Sequence, residues 1–209
     1  MTRPAALAAT NTGRAWRALR PWLGWAAAGV LLGAAATAWS LAAWDRFGAA
    51  AGPWRVSLLA GSTEADRLTR ARVALGGLLA LSRRETIYFV ATHDSAGAAL
   101  RSRCAWRITG VPPAARWWSL TAYADDHHLF PDELRRYSVN SATASLDAAG
   151  RFTVVTGPQA PSGRDAAWLP TPGDRGLVLT LRAYGPEPAL ADAPASLPPP
   201  VISPVGDCR

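Results

Sequence analysis

Residues 124–130, ADDHHLF, place two aspartates directly before two histidines, and His93 is the third histidine of the chain. Carboxylate oxygens and imidazole nitrogens form a mixed ligand set that suits a divalent transition metal. Such a site requires His93, at the end of a different predicted strand, to meet this segment in space. The metal-ligand candidates are His93, Asp125, Asp126, His127 and His128.

The same segment also reads as the tip of a β-hairpin. Neighbouring histidines in an extended segment point to opposite faces, and the sequence has neither an HxH nor an HExxH spacing. Strands are predicted on both sides of Asp125-Asp126, and aspartates are common in turns. We therefore predict a turn here, with no metal and no cofactor.

Other catalytic arrangements have little support in this sequence. His93-Asp94-Ser95 has the residue types of a catalytic triad, but chain neighbours point apart and no GxSxG elbow is present. The acidic residues from Asp125 to Glu133 lie in one loop, whereas a glycosidase places two carboxylates on opposite sides of a cleft. A binding role is favoured over an enzymatic one. An envelope hydrolase built on the Asp125 to His128 turn stays an alternative.

Aromatic residues are more informative, since the chain has 10 tryptophans. Trp117 and Trp118 point to opposite faces of a predicted strand, so at least one of them leaves the core unless both faces are covered. The alternative is that the partner sheet covers one face and the helix or the tail covers the other. An exposed tryptophan near tyrosines and an arginine would suit a sugar, an acyl chain or an aromatic ligand. The ligand-binding candidates are Trp117, Tyr123, Trp168, Arg182 and Tyr184.

Residues 21–44 contain no charged side chain and have tryptophans near both ends. A helix over this stretch is about 36 Å long, enough to cross a hydrocarbon core of about 30 Å. Indole rings favour the two membrane interfaces. The stretch therefore predicts a transmembrane helix.

Charge around this helix predicts its orientation. Arginines at positions 3, 14, 17 and 20 precede it, so the positive-inside rule places the N-terminus in the cytoplasm and the C-terminal domain in the periplasm, across a bacterial inner membrane. Cleavage after Ala36-Thr37-Ala38 as a signal peptide is the alternative, although the apolar run exceeds the usual core of about 7 to 15 residues. No basic stripe follows the helix, so nucleic acid is not an expected partner.

The segment STEADRLTRARVALGGLLALSRRE, residues 62–85, predicts one amphipathic helix. Ser62 or Thr63 would supply its N-cap, and Gly76 and Gly77 weaken its middle. Beyond it the apolar period changes to two in TIYFVATH, RWWSLTAY and LVLTLRAY, and shorter strands are expected at CAWRITGV, RRYSVNS and RFTVVTG. Strands without intervening helices predict an antiparallel sandwich or barrel.

The end of the chain is too rich in proline for a helix or a central strand, so we expect an extended, partly polyproline II tail. The two cysteines, Cys104 and Cys208, lie on the side predicted to be exported, where a disulfide can form. Two separate thiols are the alternative. The predicted organisation is a basic N-terminus at 1–20, a transmembrane helix at 21–44, a linker at 45–61, a helix plus β-sandwich domain at 62–190 and a proline-rich tail at 191–209.

Several segments, taken in order, resemble family 1214 of the domains of unknown function, whose domain often follows a 1254 domain in envelope proteins. They are TRARVALGGLLAL, ETIYFVATHDSAG, RCAWRITG, ARWWSLTAY, RRYSV, WLPTPGD and LVLTLRAYGPEP. The resemblance implies a jelly-roll-like antiparallel β-sandwich in a short, single-domain, membrane-anchored form, and it brings no established reaction or cofactor. Two positions that are often asparagine in the family are Asp132 and Ala167 here.

These observations predict a mainly β protein with an N-terminal transmembrane helix, one amphipathic helix and an antiparallel jelly-roll-like β-sandwich. We expect a single-pass inner-membrane protein whose periplasmic domain binds an envelope protein, glycan or lipid. Besides the hydrolase, the alternative is a structural protein that holds a partner through its tail or its spanning helix.

Overall fold

The computed structural model of the chain describes residues 12–42, 48–75, 80–163 and 166–208. The chain divides into two compact units, Met1–Trp44 and Asp45–Arg209. The described part of the second unit is mainly β, as the alternating segments predict.

The first unit contains the helix α1 (Thr12–Ala42). Its stretch from Trp22 to Ser40 has 19 residues and is long and apolar enough to cross a membrane. Trp22, Trp25 and Trp39 are exposed, as are the leucines between them. A helix that exposes apolar side chains on all sides is typical of a membrane span, in agreement with this length and composition. The last residues of the predicted span, 43 and 44, lie outside the described residues.

Ten strands are described, and they form two sheets. In chain order they are β1 (Ala49–Ala51), β2 (Trp54–Val56), β3 (Thr86–Ala91), β4 (Trp106–Gly110), β5 (Ala115–Ala124), β6 (Ser138–Asn140), β7 (Phe152–Gly157), β8 (Ala167–Pro170), β9 (Leu177–Pro186) and β10 (Val201–Pro204). The helix α2 (Arg67–Leu75) precedes β3, and α3 (Pro188–Asp192) and a 3-10 helix (Pro194–Ser196) lie between β9 and β10.

The larger sheet has six strands in the order β1-β2-β3-β9-β5-β6, and each neighbouring pair is antiparallel. At its centre, β5 and β9 pair along their length, from Ala115 opposite Pro186 to Ala124 opposite Leu177. The segments with the clearest alternation in the sequence therefore form the middle of this sheet.

The smaller sheet has the order β10-β4-β7-β8. Its first three strands are antiparallel, but β7 and β8 run parallel, with Val154 opposite Ala167. The described strands thus form an antiparallel sandwich, as predicted, with this single parallel pair. A tight hairpin joins antiparallel strands. Parallel strands need a longer connection, because β8 has to begin at the same end of the sheet as β7.

Side chains of both sheets form one hydrophobic core. Trp118 of β5 stacks on Phe152 of β7, with ring centroids 4.7 Å apart. Leu181 of β9 and Ile108 of β4 are fully buried in the same cluster. Two sheets that bury their apolar faces against each other form a β-sandwich. The jelly-roll connectivity implied by the family resemblance is not confirmed.

The described part of the predicted linker, 45–61, contains β1 and β2. Trp54 is fully buried, and its indole Nε1 donates a 2.8 Å hydrogen bond to the carbonyl oxygen of Pro200. Val56 lies opposite Phe89 in β3. Strands of 3 residues are too short to show an alternating pattern, so they leave little trace in the sequence.

The helix α2 begins later than the sequence predicts. Asp66 Oδ1 accepts hydrogen bonds from the backbone N–H groups of Leu68 at 2.8 Å and Thr69 at 3.0 Å. These are the bonds of an N-cap, so Asp66 takes the role expected of Ser62 or Thr63. Residues 76–79, which include the two glycines of the predicted helix, lie outside the described residues.

The C-terminal segment belongs to the folded domain rather than forming an extended tail. Ile202 of β10 is buried and lies opposite Ile108 of β4. β10 is an edge strand, the position in a sheet that tolerates proline. Cys104 and Cys208 lie at disulfide distance, with Cα atoms 5.3 Å apart, so the predicted bridge would fasten the chain end beside β4.

Candidate binding face

Alternate residues of β5 and β9 form the outer face of the larger sheet, on the side away from the core. The register places Trp117 opposite Tyr184 and Ser119 opposite Arg182. The residues between them, such as Trp118, are buried in the core. The outer face includes five exposed or partly exposed residues, Tyr88, Trp117, Tyr123, Arg182 and Tyr184, and three buried ones, Ser119, Thr121 and Thr180.

Four of the five predicted ligand-binding residues lie on this outer face. Trp117 is 39% exposed, whereas Trp118 is 4% exposed. Tyr123, Arg182 and Tyr184 are partly exposed. The alternation of a strand therefore brings these four side chains to one surface.

Arg182 lies at the centre of the outer face. Its Nη1 donates to Thr121 Oγ1 at 3.2 Å, and its Nη2 donates to the Tyr123 hydroxyl oxygen at 2.9 Å. The guanidinium carbon is 5.4 Å from the ring centroid of Tyr123 and 5.9 Å from that of Tyr88. Both distances allow a cation–π interaction. The guanidinium group is thus positioned beside two tyrosines.

Tyr88 is a residue of this face that the sequence interpretation missed. It lies in β3 directly opposite Arg182. The period of two does place Tyr88 on one side of its strand. Which strand lies beside β3 depends on contacts distant in sequence, so the local pattern cannot place Tyr88 near Arg182.

Trp168 does not belong to the outer face, although the sequence interpretation grouped it with the other four residues. It lies in β8 of the smaller sheet, and its Nε1 donates to the carbonyl oxygen of Gly157 at 3.1 Å. The guanidinium carbon of Arg136 is 4.4 Å from its ring centroid. Trp168 therefore packs in a separate cluster.

That cluster lies beside both positions that depart from the family pattern. Asp132 accepts hydrogen bonds from Arg136 Nη2 at 2.8 Å and Nε at 3.1 Å. These bonds lower the pKa of Asp132 from 3.8 to about 2. Ala167 directly precedes Trp168 in β8. The charge of Asp132 is therefore matched by Arg136 within the cluster.

The ADDHHLF segment forms a turn at the end of β5. Arg175 Nη2 lies 3.0 Å from Asp125 Oδ1 and 2.7 Å from Asp126 Oδ2. The hydrogen bond from Arg175, followed by that from the backbone of His128, lowers the pKa of Asp126 from 3.8 to about 2. The two aspartates therefore fasten this turn to the loop before β9.

The histidines lie close to neighbouring groups in their own segments. His127 has a positive φ of 64°, which turns the backbone within the pair. His128 Nδ1 lies 3.3 Å from Asp126 Oδ2, and His93 Nδ1 lies 3.0 Å from Thr92 Oγ1. Among the described residues, no three His, Cys, Asp or Glu side chains form a group that could hold a metal ion.

The side chains of Asp94 and Ser95 shape the turn after β3. Asp94 Oδ1 accepts hydrogen bonds from the backbone N–H groups of Ala96 at 3.0 Å and Ala98 at 2.7 Å. Ser95 Oγ accepts a bond of 2.9 Å from the backbone N–H of Ile202. Both residues thus have structural partners, and Ser95 ties this turn to β10.

Comparisons with known proteins address the fold. The VPA0106 protein from Vibrio parahaemolyticus is similar at 23% identity with a TM-score of 0.53, covering 68% of this chain and 36% of that chain. An uncharacterized protein from Burkholderia cenocepacia is similar at 18% identity with a TM-score of 0.40, covering 57% of this chain and 29% of that chain. The chain thus spans about a third of the length of these structures. No curated protein matches it.

A family model also matches the part of the chain that contains the outer face. The match covers residues 85–188, which include every strand from β3 to β9. The family is described as a protein of unknown function, DUF1214. This match, together with the order of the motifs in the sequence, shows that the chain belongs to the DUF1214 family.

Proposed function

We propose that the chain is a single-pass inner-membrane protein whose periplasmic β-sandwich binds a ligand of the cell envelope through the outer face of the larger sheet. One observation carries the proposal: Trp117, Tyr184 and Arg182 lie together, partly exposed, on two paired strands. Tryptophan, tyrosine and arginine are the residues enriched at binding hot spots.

Membrane attachment is supported by α1, whose stretch from Trp22 to Ser40 exposes its apolar side chains. The arginines within residues 1–20 support a cytoplasmic N-terminus. The closeness of Cys104 and Cys208 supports an oxidising compartment for the sandwich. Together these features favour a periplasmic location.

The composition of the outer face suits a sugar better than an acyl chain. On the outer face, the row of Trp117 and Tyr184 is followed along the strands by the row that contains Arg182. A sugar ring can stack on an aromatic ring and also hydrogen-bond to polar groups beside it. An acyl chain would cover the guanidinium of Arg182 without binding its charge, which is costly.

The geometry supports a hydrolase at the ADDHHLF turn less well. The carboxylates of Asp125 and Asp126 are both paired with Arg175. With a pKa of about 2, Asp126 is ionised at neutral pH and holds no proton to donate as a general acid. The ion pairs instead support a structural role for the turn.

Binding can be tested on the full chain in an uncharged detergent, with soluble peptidoglycan fragments, lipopolysaccharide oligosaccharides and neutral phospholipid vesicles as probes. We expect a glycan probe to bind, and Trp117→Ala to weaken that binding at least about tenfold, the range expected for a hot-spot residue. Trp168→Ala is the matched control and should leave the affinity unchanged. Loss of affinity in Trp168→Ala but not in Trp117→Ala would refute this assignment of the face, and no binding of any probe would refute glycan binding.

A further inference from the structure

The positive charge of Arg182, on the outer face, is not matched by an ion pair with a described residue. Its hydrogen bonds go to two hydroxyl oxygens, those of Thr121 and Tyr123, and its ring contacts are with tyrosines. Among the described residues, six other arginines and His128 form ion pairs with aspartates, and none of these pairs involves Arg182. A partly buried guanidinium with neutral neighbours favours the approach of an anion.

Hydrogen-bond donors at and beside the Arg182 guanidinium are available to an anion. The Tyr123 hydroxyl oxygen accepts the bond from Arg182 Nη2, so its own proton can be donated elsewhere. The planar guanidinium has five N–H donors, of which Thr121 and Tyr123 take two. A carboxylate or phosphate can accept from two such donors at once.

The spacing of residues along the strands sets the distance between the Arg182 guanidinium and the rings of Trp117 and Tyr184. Tyr184 follows Arg182 by one row of β9, and Trp117 lies opposite Tyr184. One row is about 7 Å along a strand. The guanidinium leans the other way, toward Thr121 and Tyr123, so ring and charge are separated by about 7 to 14 Å. This span corresponds to one or two sugar rings.

We infer that the outer face takes an acidic sugar, whose carboxylate or phosphate is bound by Arg182 while a ring of the same molecule lies on Trp117 and Tyr184. The inference rests on the proposed function and specifies the ligand class. A neutral sugar would stack on the rings but leave the charge of Arg182 unmatched. A small anion without a ring would bind Arg182 alone, so both should bind weakly.

The test compares three probes on the full chain in uncharged detergent by isothermal titration calorimetry: 4-nitrophenyl glucuronide, 4-nitrophenyl glucoside and inorganic phosphate. The first two differ in one group, a carboxylate in place of a hydroxymethyl. We expect the glucuronide to bind about tenfold to a hundredfold more tightly than the glucoside, the value of a charge-assisted hydrogen bond pair. Inorganic phosphate should bind at least as weakly as the glucoside.

Two variants locate the charge effect. Arg182→Gln should bring the glucuronide affinity to within about threefold of the glucoside affinity measured on the same variant. Arg107→Gln, which changes an exposed arginine of the smaller sheet, should behave as the wild type. Thermal unfolding of the variants verifies that each remains folded.

The possible failures are distinguishable. Equal affinities of wild type for the two glycosides, or a preference that survives Arg182→Gln, would overturn the acidic-sugar inference and leave sugar binding by the face intact. Phosphate binding as tight as the glucuronide would show a bare anion site and also overturn it. If none of the probes binds, the inference fails together with the proposal that this face binds sugars.

Discussion

At the scale of single residues, the guanidinium groups of Arg182 and Arg175 differ in the partners that they contact. Arg175 bridges Asp125 and Asp126, so its charge is neutralised by the turn that it fastens. Arg182 instead donates to the neutral hydroxyl groups of Thr121 and Tyr123, so these bonds do not neutralise its charge. The difference in partners separates a structural arginine from a candidate binding residue.

The pairing of Asp126 with Arg175 predicts a measurable pH dependence. Because the pKa of Asp126 falls from 3.8 to about 2, the ion pair stabilises the fold above about pH 4, and this contribution is lost as the pH falls through about 2. In Arg175→Met the pKa should rise toward 3.8, and part of the acid-side loss of stability should disappear. NMR titration of the Asp126 carboxyl carbon measures the shift.

The control for this titration is Arg107→Met, since Arg107 is exposed in β4. It should leave the titration of Asp126 unchanged. A pKa near 2 that persists in Arg175→Met would contradict the assigned cause and leave the backbone N–H of His128 as the dominant partner.

Sequence alone predicted much of the outer face, because the period of two fixes which side of a strand each residue occupies. It placed Trp117 and Tyr123 on the same side of β5. It also placed Arg182 and Leu181 on opposite sides of β9. It could not show that Tyr88 joins them or that Trp168 does not. Both facts depend on which strands are neighbours, which local patterns do not encode.

At the scale of elements, the C-terminal strand is held by three kinds of contact. Ile202 is buried against the core, its backbone N–H donates to Ser95 Oγ, and Cys208 lies at disulfide distance from Cys104. Trp54 adds a hydrogen bond to Pro200 just before the strand. β10 is therefore part of the sandwich despite the prolines around it.

Replacement of Ile202 by alanine should test this role. Because Ile202 is 1% exposed, Ile202→Ala should lower the free energy of unfolding by about 2 to 5 kcal/mol. Val201, its neighbour on the other side of the strand, is 55% exposed, so Val201→Ala should cost less than about 0.5 kcal/mol. Urea unfolding followed by near-UV circular dichroism measures both, and equal effects would mean that β10 does not pack as described.

The strands that the sequence predicts most clearly are the ones with long alternating patterns. β3, β5 and β9 each extend over 6 or more residues with a clear period of two. β1 and β2 were missed because they are too short, and β10 because its prolines suggested a chain without strand pairing. α2 began late because Asp66, rather than an earlier serine or threonine, caps it.

At the scale of the whole molecule, the proposal joins a membrane anchor to a binding domain. The anchor rests on α1 and on the arginines before it, and the binding domain rests on the outer face of the larger sheet. Under this proposal, the anchor confines the binding domain to the cell envelope, where its proposed ligands occur.

The predicted orientation can be measured with reporters that work on one side of the membrane. Alkaline phosphatase fused after the C-terminus should be active, because the sandwich is expected in the periplasm, where the enzyme can form its disulfides. The same enzyme fused at the N-terminus should be inactive. An active N-terminal fusion with an inactive C-terminal fusion would mean that the chain is inserted the other way round.

The most direct test of the central claim, that the outer face binds an envelope ligand, is site-specific photocrosslinking in intact cells. Benzoylphenylalanine in place of Trp117 should give a discrete adduct with a glycan-containing molecule, and the adduct should weaken when Arg182→Gln is added. The same group in place of Arg107, on the smaller sheet, should give no such adduct. Absence of an adduct at position 117, or the same adducts at both positions, would contradict the claim.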